Sequence, residues 1–250
     1  MKNLKILFSP SENKTIDGID KSLDLSSLLF ADKDGVRFKL IEKYNALMTS
    51  GNEDLVCALT GLKKYNDAKA FCKSIYDLPL APAIERYVGV AFDYLSYTSL
   101  AEKEKLFARE NTLIFSNLFG AISAGDNIPT YKLKQGEKVD GINTASLYKK
   151  SFSKDLDELL KDKLIVDLRA GYYEKFYAPK SQVIGMKFLK NGKTVSHWAK
   201  AWRGLMLRSL AQVQPNTLEE IIDMQIEGVG LIDKIETKKK IELIYEIEGD

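Results

Sequence analysis

Two stretches of the sequence place anion-binding side chains directly after a predicted strand. Residues 9–15 (SPSENKT) follow the apolar run Leu4–Phe8, so hydroxyl groups and a lysine stand where that strand opens into a loop. Arg169 follows another apolar run and precedes a glycine, a position from which a guanidinium can bind phosphate or carboxylate with two hydrogen bonds. The alternatives are a polar connecting loop and a structural arginine that pairs with Asp126 or Asp167.

A third stretch, residues 196–208, combines the single histidine with several cations. Helical spacing puts Lys200 and Arg203 on one face. We expect His197 to stay neutral near pH 7, because the cationic helix start beside it disfavours protonation. A neutral imidazole can act as a base, but the spacing nominates no serine or cysteine partner, and a structural histidine is the alternative.

Residues 59–64 (LTGLKK) lie between two predicted helices and resemble the turn of a helix-hairpin-helix motif. In that motif, backbone N–H groups at a helix start meet a DNA phosphate, and a glycine such as Gly61 permits the close approach. Lys63 and Lys64 would add phosphate contacts that release counterions. Such contacts position DNA without reading its sequence. The alternative is an ordinary glycine that ends a helix.

The composition limits the remaining chemistry. The chain of 250 residues has one histidine and two cysteines, and no close array of three or four Cys, His or acidic ligands, so we predict neither a metal site nor another cofactor. Two thiols exclude a disulfide scaffold and suit a reducing cytoplasm. No apolar run reaches the ~18 residues of a membrane span, so we expect a cytoplasmic protein without membrane contact.

The formal net charge of +2 conceals an uneven distribution. From Lys175 to Leu218 there are eight Lys and Arg residues and no acid, whereas the rest of the chain to residue 250 has ten acids and four lysines. A basic segment of this length indicates an anionic partner. The alternative is that the acidic end of the chain folds back across it.

Apolar periodicity predicts the elements that must position these residues. Buried strands are expected at Leu4–Phe8, Leu113–Phe115, Leu164–Leu168, Val183–Phe188, Val195–Trp198 and Ile241–Ile247. Helices are expected at Val36–Met48, 52–59, Lys63–Ile75, 83–94, 99–109, 153–162 and Lys200–Val213, with Asn52, Ser99 and Ser153 as caps. Asn191-Gly192 predicts a two-residue hairpin turn. Helices and strands without a regular βαβ rhythm favour an α+β fold, with a mixed sheet flanked by helices.

Four motifs in order along the chain resemble the YaaA peroxide-stress family of bacterial cytosolic proteins. They are Leu7–Thr15 (the loop SPSENKT and the residues before it), 117–136 (FG, then DNIPTYKL), Asp167–Tyr173 (DLRAGYY) and Ser196–Arg208 (SH, then K, RGLM and R). The resemblance implies a single domain over residues 1–250, with a helix-hairpin-helix-like subregion at about 36–76. It also implies DNA binding and protection against hydrogen peroxide, where free iron damages DNA. Carried across residue by residue, it implies a cleft formed by Ser9, Lys14, Tyr131, Arg169, Tyr173, His197, Lys200 and Arg203.

Three functions compete at this point. The first is a protein that binds double-stranded DNA or another nucleic acid with little sequence preference and acts in peroxide resistance, with Gly61, Lys63 and Lys64 on the phosphates. The second is an enzyme that acts on a small anionic or nucleotide-like ligand in the cleft, where a Tyr or Lys with a lowered pKa serves as acid or base. The third is an iron- or redox-linked binding protein that uses Cys57 and Cys72. Convergence of the cleft residues in one pocket would favour the second.

Overall fold

The computed structural model of the chain describes residues 4–32, 35–195 and 198–248. Alternating or continuous apolar runs form its strands, and those at the centre of the sheet are buried on both faces. The strands are β1 (Leu4–Phe8), β2 (Asn13–Lys14), β3 (Leu80–Pro82), β4 (Tyr87–Val88), β5 (Thr112–Ser116), β6 (Gly120–Ser123), β7 (Asn127–Pro129), β8 (Leu164–Asp167), β9 (Val183–Lys190), β10 (Lys193–Thr194), β11 (Val229–Glu236) and β12 (Lys240–Ile247).

The longer helices bury an apolar face in the same core that contains the sheet. They are α1 (Val36–Met48), α2 (Glu53–Thr60), α3 (Tyr65–Ala68), α4 (Ala83–Arg86), α5 (Val90–Leu95), α6 (Glu102–Asn111), α7 (Thr144–Leu159), α8 (Ala199–Val213) and α9 (Leu218–Ile222). Within the described ranges, no helix has the length and apolar character needed to cross a bilayer.

Eight of the described strands form one mixed sheet in the order β11-β12-β9-β8-β1-β5-β6, with β10 paired to β9. Strand β1 is central and runs parallel to both β5 and β8, and the parallel set continues through β9 and β12. The outer strands β6 and β11 are antiparallel to their neighbours. This architecture confirms the predicted α+β class with a mixed sheet.

The order of the strands creates a crevice beside β1. The chain leaves β1 and next enters this sheet at β5 on one side, whereas it leaves β8 for β9 on the other side. Because the two connections diverge, a gap opens outside the carboxyl ends of β1 and β8. Such switch points are where open parallel sheets bind ligands.

Most predicted elements form where the apolar pattern placed them. The strands β1, β5, β8, β9 and β12 and the helices α1, α2 and α8 are confirmed, with ends that differ by one or two residues. Asn52 caps α2 by accepting a hydrogen bond from the Leu55 N–H. Asn191 and Gly192 both have positive φ, 51° and 71°, as the predicted hairpin between β9 and β10 requires.

The helix predicted over Lys63–Ile75 is wrong in length. Only Tyr65–Ala68 is α-helical, and a 3-10 turn follows over Lys69–Phe71. Lys64 offers no side-chain cap to the helix start. At the other end, the Ile75 N–H donates to Asn45 Oδ1 and Ser74 caps a separate 3-10 turn. Side-chain hydrogen bonds therefore replace helical ones over this stretch.

The helix predicted over 83–94 is divided in two. Gly89 has a φ of 128°, which breaks the helix, and β4 precedes it by pairing with β2. Helix α6 begins after Ala101, whose N–H donates to the Glu104 carboxylate, so Ser99 is not its cap.

Two further expectations from the sequence fail in the second half of the chain. Helix α7 starts nine residues before Ser153, because Asn143 supplies the cap. The strand predicted over Val195–Trp198 does not form at Val195, and β10 is the two-residue strand Lys193–Thr194. Ser196 and His197 lie outside the described residues.

Candidate functional site

A cavity of about 480 Å³ occupies the crevice at the carboxyl ends of β1 and β8, and we call it the cleft. The loop that follows β1, from Ser9 to Asn13, forms one wall, and the turn after β8, from Leu168 to Ala170, forms the floor. The first turn of α5 and the first turn of α8 close the other sides. The side chains on these walls include Phe8, Ser9, Phe92, Tyr173, Lys200 and Arg203.

Ser9 holds the loop and the floor together. Its Oγ accepts a hydrogen bond of 2.8 Å from the Ala170 N–H, and the Leu168 N–H donates to the Leu7 carbonyl at 2.9 Å. A serine hydroxyl that accepts one bond keeps its own O–H for donation. Ser9 therefore presents a donor at the cleft while it fixes the cleft's geometry.

Every guanidinium nitrogen of Arg169 donates a hydrogen bond within the protein. Its Nε and Nη2 donate to the two carboxylate oxygens of Asp167 at 2.9 and 2.7 Å, and Nη1 donates to the carbonyls of Tyr173 and Tyr177. The guanidinium also lies 4.5 Å from the centre of the Phe115 ring. The alternative of a structural arginine paired with Asp167 is thus the observed arrangement, and Asp126 instead accepts N–H groups of Leu29 and Ser123.

Arg203 stands on the opposite wall without such partners. Among the described residues, none forms a hydrogen bond or ion pair with its guanidinium. Burial lowers the pKa of Arg203, and the charges of Asp167 and Glu174 oppose that shift. The side chain is half-buried and borders both the cleft and a second cavity of about 480 Å³, the side cavity, which lies across Leu168.

Helix α8 approaches this position closely because of Gly204. A Cβ at Gly204 would overlap the carbonyl oxygen of Ala91 in α5, so only glycine allows the two helices to pack at this distance. Ala91 and Val90 line the cleft. The contact at Gly204 therefore sets the position of the neighbouring Arg203 and, one turn earlier, of Lys200.

Lys14 and Tyr131 lie behind the loop wall, in a cluster with Tyr87. The Lys14 amine is 3.8 Å from the centre of the Tyr131 ring and donates to the carbonyls of Ser11 and Glu12. Burial, followed by the charge of Lys132, holds the pKa of Lys14 well below its usual range.

The pKa values of the tyrosines near the cleft are shifted upward, opposite to the shift of Lys14. The Tyr131 hydroxyl bonds to Tyr87 Oη at 2.8 Å and to Ser116 Oγ at 2.7 Å, and burial holds its pKa well above the ordinary value. Burial also raises the pKa of Tyr173. The expectation of a lowered pKa is therefore wrong for Tyr131 and Tyr173, whereas burial does lower the pKa of Lys14.

The eight residues of the expected cleft thus separate by position. Ser9, Tyr173, Lys200 and Arg203 line the cleft, while Arg169 lines only the side cavity. Lys14 and Tyr131 form the layer behind the loop wall. His197 lies outside the described residues, immediately before α8.

Several cleft residues were not expected from the sequence. Gly89 and Phe92 line it because the helical pattern over 83–94 is broken at Gly89, where the backbone comes close to Ser11. Gln135 lines it because its N–H donates to the Glu12 carboxylate. A glycine in a helical pattern is the one feature of the sequence that could have marked this break.

The turn at Gly61 contacts the residue that precedes the cleft residue Gln135. Gly61 ends α2 with a φ of 71° and donates its N–H to the Cys57 carbonyl, as in an ordinary C-cap. Its Cα faces the side chain of Lys134, whose N–H donates to the Leu59 carbonyl at 2.9 Å. The next residue, Gln135, already belongs to the cleft.

The basic segment from Lys175 to Leu218 does not form one surface. Arg208 donates to the carbonyls of Leu95 and Ser96, and Lys180 pairs with Asp157. The acidic end of the chain lies beside it, because β12 pairs in parallel with β9. Within the described residues, however, no ion pair joins a Lys or Arg of 175–218 to an acid of that end, so the strands pair without an ion-paired cover.

The two cysteines show no metal-binding arrangement. Cys57 and Cys72 are half-buried free thiols, and Cys72 Sγ donates weakly to the Ala68 carbonyl at 3.5 Å. Within the described part of the chain, no group of three or more His, Cys, Asp or Glu side chains could hold a metal ion.

Fold and site together define an α+β protein whose cleft lies at the switch point of a mixed sheet. The family model for "Peroxide stress protein YaaA" matches residues 4–232. An uncharacterized protein of Campylobacter jejuni is 39% identical, over 88% of this chain and 89% of its own length. A UPF0246 protein of Corynebacterium efficiens is 32% identical and one of Fusobacterium nucleatum 27%, each over 94% of this chain and 96% of its own length. The chain belongs to the peroxide stress protein YaaA family, and its role lies in peroxide stress.

Proposed function

We propose that this protein binds nucleic acid, double-stranded DNA above all, through its phosphates and with little sequence preference, as its part in peroxide resistance. The observation that supports this proposal is a set of exposed lysines that extends from the Gly61 turn along the segment next to the cleft. We call Lys63, Lys64, Lys134 and Lys175 the basic strip. Each is exposed, and none forms an ion pair with another described residue.

Contacts between neighbouring residues make the strip continuous. Lys134 packs on Gly61, two residues before Lys63. At the other end, Gly136 approaches the Tyr172 ring, and the Lys175 amine lies 5.2 Å from the centre of that ring. Lysines in such a row neutralise successive phosphates and release counterions.

The local fold favours binding without sequence readout. Helix α3, which follows the Gly61 turn, has a single turn, which is too short to enter a major groove as a recognition helix. Lysine is a point charge on a flexible stem and suits phosphate contacts rather than base edges. The strip is therefore suited to the DNA backbone.

The test is the salt dependence of affinity for a short fluorescent DNA duplex. For the wild type, the logarithm of the association constant should fall linearly with the logarithm of salt concentration. The triple variant Lys63→Ala, Lys64→Ala, Lys134→Ala should bind more weakly and reduce the slope by about two to three, at roughly 0.9 per lost phosphate contact. Duplexes of different sequence should bind alike.

A matched control is offered by α7, where Lys149, Lys150 and Lys154 are also exposed. Their triple alanine variant removes the same charge and should retain most of the wild-type affinity and slope. If no duplex binding occurs at low salt, or if the two triple variants have the same slope, the proposal is wrong.

A further inference from the structure

The cleft combines free cations with a mixed lining of aromatic and polar side chains, which is an arrangement that DNA phosphate binding on the surface does not require. We propose that the cleft is a binding site for a nucleoside monophosphate, with the phosphate at Lys200 and Arg203 and the base against the aromatic side chains.

The cations are available to a ligand. Lys200 and Arg203 are three residues apart on α8 and both line the cleft. In the described part of the chain neither has a hydrogen-bond or ion-pair partner. A half-buried guanidinium and an ammonium on one wall match a phosphate, since Arg binds two oxygens at once and Lys adds charge.

The carboxylates near the cleft do not neutralise this wall. Glu12 is the one carboxylate among the described residues that line the cleft, and it accepts the Gln135 N–H. Asp167 and Glu174 lie on the side-cavity side of Arg203, and Asp167 is already paired at both oxygens with Arg169. The charge balance within the cleft therefore favours an anion.

The rest of the interior suits a flat ring. Phe8 and Phe92 meet edge to face with their centres 5.5 Å apart, and Leu168 and Tyr173 continue the apolar surface. Around this surface stand groups that form hydrogen bonds, namely the Ser9 hydroxyl and the side chains of Asn13 and Gln135. A base has the same combination, an apolar face and polar edges.

Size and location support the same ligand. The volume of about 480 Å³ falls in the range of about 300–1,000 Å³ found for sites of small organic ligands, and far exceeds what a lone phosphate fills. The cleft also lies outside the carboxyl ends of β1 and β8, at the switch point where open parallel sheets bind nucleotides.

The experiment is calorimetric titration of the full chain, without DNA, with AMP, adenosine and inorganic phosphate. AMP should bind more tightly than either fragment. Arg203→Ala should raise the AMP dissociation constant about tenfold to a hundredfold, the effect expected from loss of a charged hydrogen-bonding group. Arg203→Lys, which keeps the charge but not the two-pronged geometry, should fall between Arg203→Ala and the wild type. Lys149→Ala is the control and should leave AMP binding unchanged.

Four binding results would contradict the proposal. Equal affinity for AMP and adenosine would show that the phosphate does not contribute to binding. Equal affinity for AMP and inorganic phosphate would show that the base does not contribute. Absence of AMP binding in the millimolar range, or wild-type affinity in Arg203→Ala, would reject the site as a whole. If Arg203→Ala does not fold, Arg203→Lys and Lys200→Ala decide the matter. Because no DNA is present, the result is independent of the basic strip.

Discussion

The turn that forms the floor of the cleft and the helix α8 that forms a wall each carry an arginine, and the two side chains differ in burial and in hydrogen-bond partners. On the floor side, Arg169 is 1% exposed and bonded to Asp167 and two backbone carbonyls. On the α8 side, Arg203 is half-buried and has no hydrogen-bond partner among the described residues. The first arginine builds the floor, and the second is available to bind.

This difference shows that the availability of a charge, rather than its presence, marks a binding position. A guanidinium whose N–H groups already have acceptors gains little from a ligand, because ligand bonds would replace existing ones. One that is partly desolvated and unpaired gains a full charged hydrogen bond. Replacement of each arginine should therefore affect different properties.

The largest expected effect is on stability at the floor. Arg169→Ala leaves the Asp167 carboxylate, 14% exposed, without its partner, and two buried carbonyls lose their donor. We expect a loss of about 3–5 kcal/mol in the free energy of unfolding, as for a broken buried ion pair. Arg203→Ala should change it by less than about 1 kcal/mol. Urea unfolding measures both changes. Equal losses would show that Arg203 stabilises the fold as much as Arg169 does.

The next effect concerns the spacing of α8 from α5. Gly204→Ala places a methyl group against the Ala91 carbonyl, and backbone on both sides cannot yield easily. We expect a loss of about 1–3 kcal/mol in unfolding free energy, although alanine favours a helix by about 1 kcal/mol over glycine. Gly171→Ala, where a Cβ meets nothing within 4 Å, is the control. A Gly204→Ala variant as stable as the wild type would show that the contact does not set the α8 wall.

A smaller effect is expected in the pH dependence of the unfolding free energy, through Lys14 behind the loop wall. Because burial lowers the pKa of Lys14 from 10.5 in the folded protein, the unfolded chain holds more protons between the lowered pKa and 10.5. The contribution of Lys14 to stability therefore increases as pH rises through that window. The unfolding free energy of the wild type minus that of Lys14→Met should grow with pH up to about 10. A difference independent of pH would mean that Lys14 titrates normally.

The smallest effect is expected at the two cysteines, which lie away from both sides of the cleft. The double variant Cys57→Ser, Cys72→Ser should lose about 1 kcal/mol or less of unfolding free energy, because both thiols are only half-buried. Duplex affinity and peroxide resistance should be retained. Loss of peroxide resistance in a stable double variant would favour the redox-linked alternative instead.

The sequence predicted well those features that depend on local pattern. The run Leu4–Phe8, the Asn191-Gly192 turn and the helix Val36–Met48 have periodicity or backbone requirements that do not depend on distant residues. Four of the eight expected cleft residues line the cleft. Ser9 and Tyr173 follow β1 and β8, whose ends meet at one edge of the sheet, whereas Lys200 and Arg203 lie on α8.

Other features depend on partners far away in the chain. Arg203 is placed by the contact of Gly204 with Ala91 in α5, which no spacing near this arginine reveals. The pairing of Arg169 with Asp167, two residues before it, is by contrast local and was one of the alternatives. The break at Gly89 follows from the pairing of β4 with β2 across more than seventy residues. In the same way, α3 is short because the Ile75 N–H donates to the side chain of Asn45, thirty residues away.

The most direct test of the account is the shift in the urea unfolding midpoint that AMP produces in wild type and in Arg203→Ala. A ligand that binds only the folded state stabilises it according to its concentration relative to the dissociation constant. We expect midpoints that differ little between the two proteins without AMP, and an AMP-induced increase in the wild type that is absent or much reduced in Arg203→Ala. Equal increases in both proteins would contradict the account, because Arg203 would then be no more available to a ligand than Arg169.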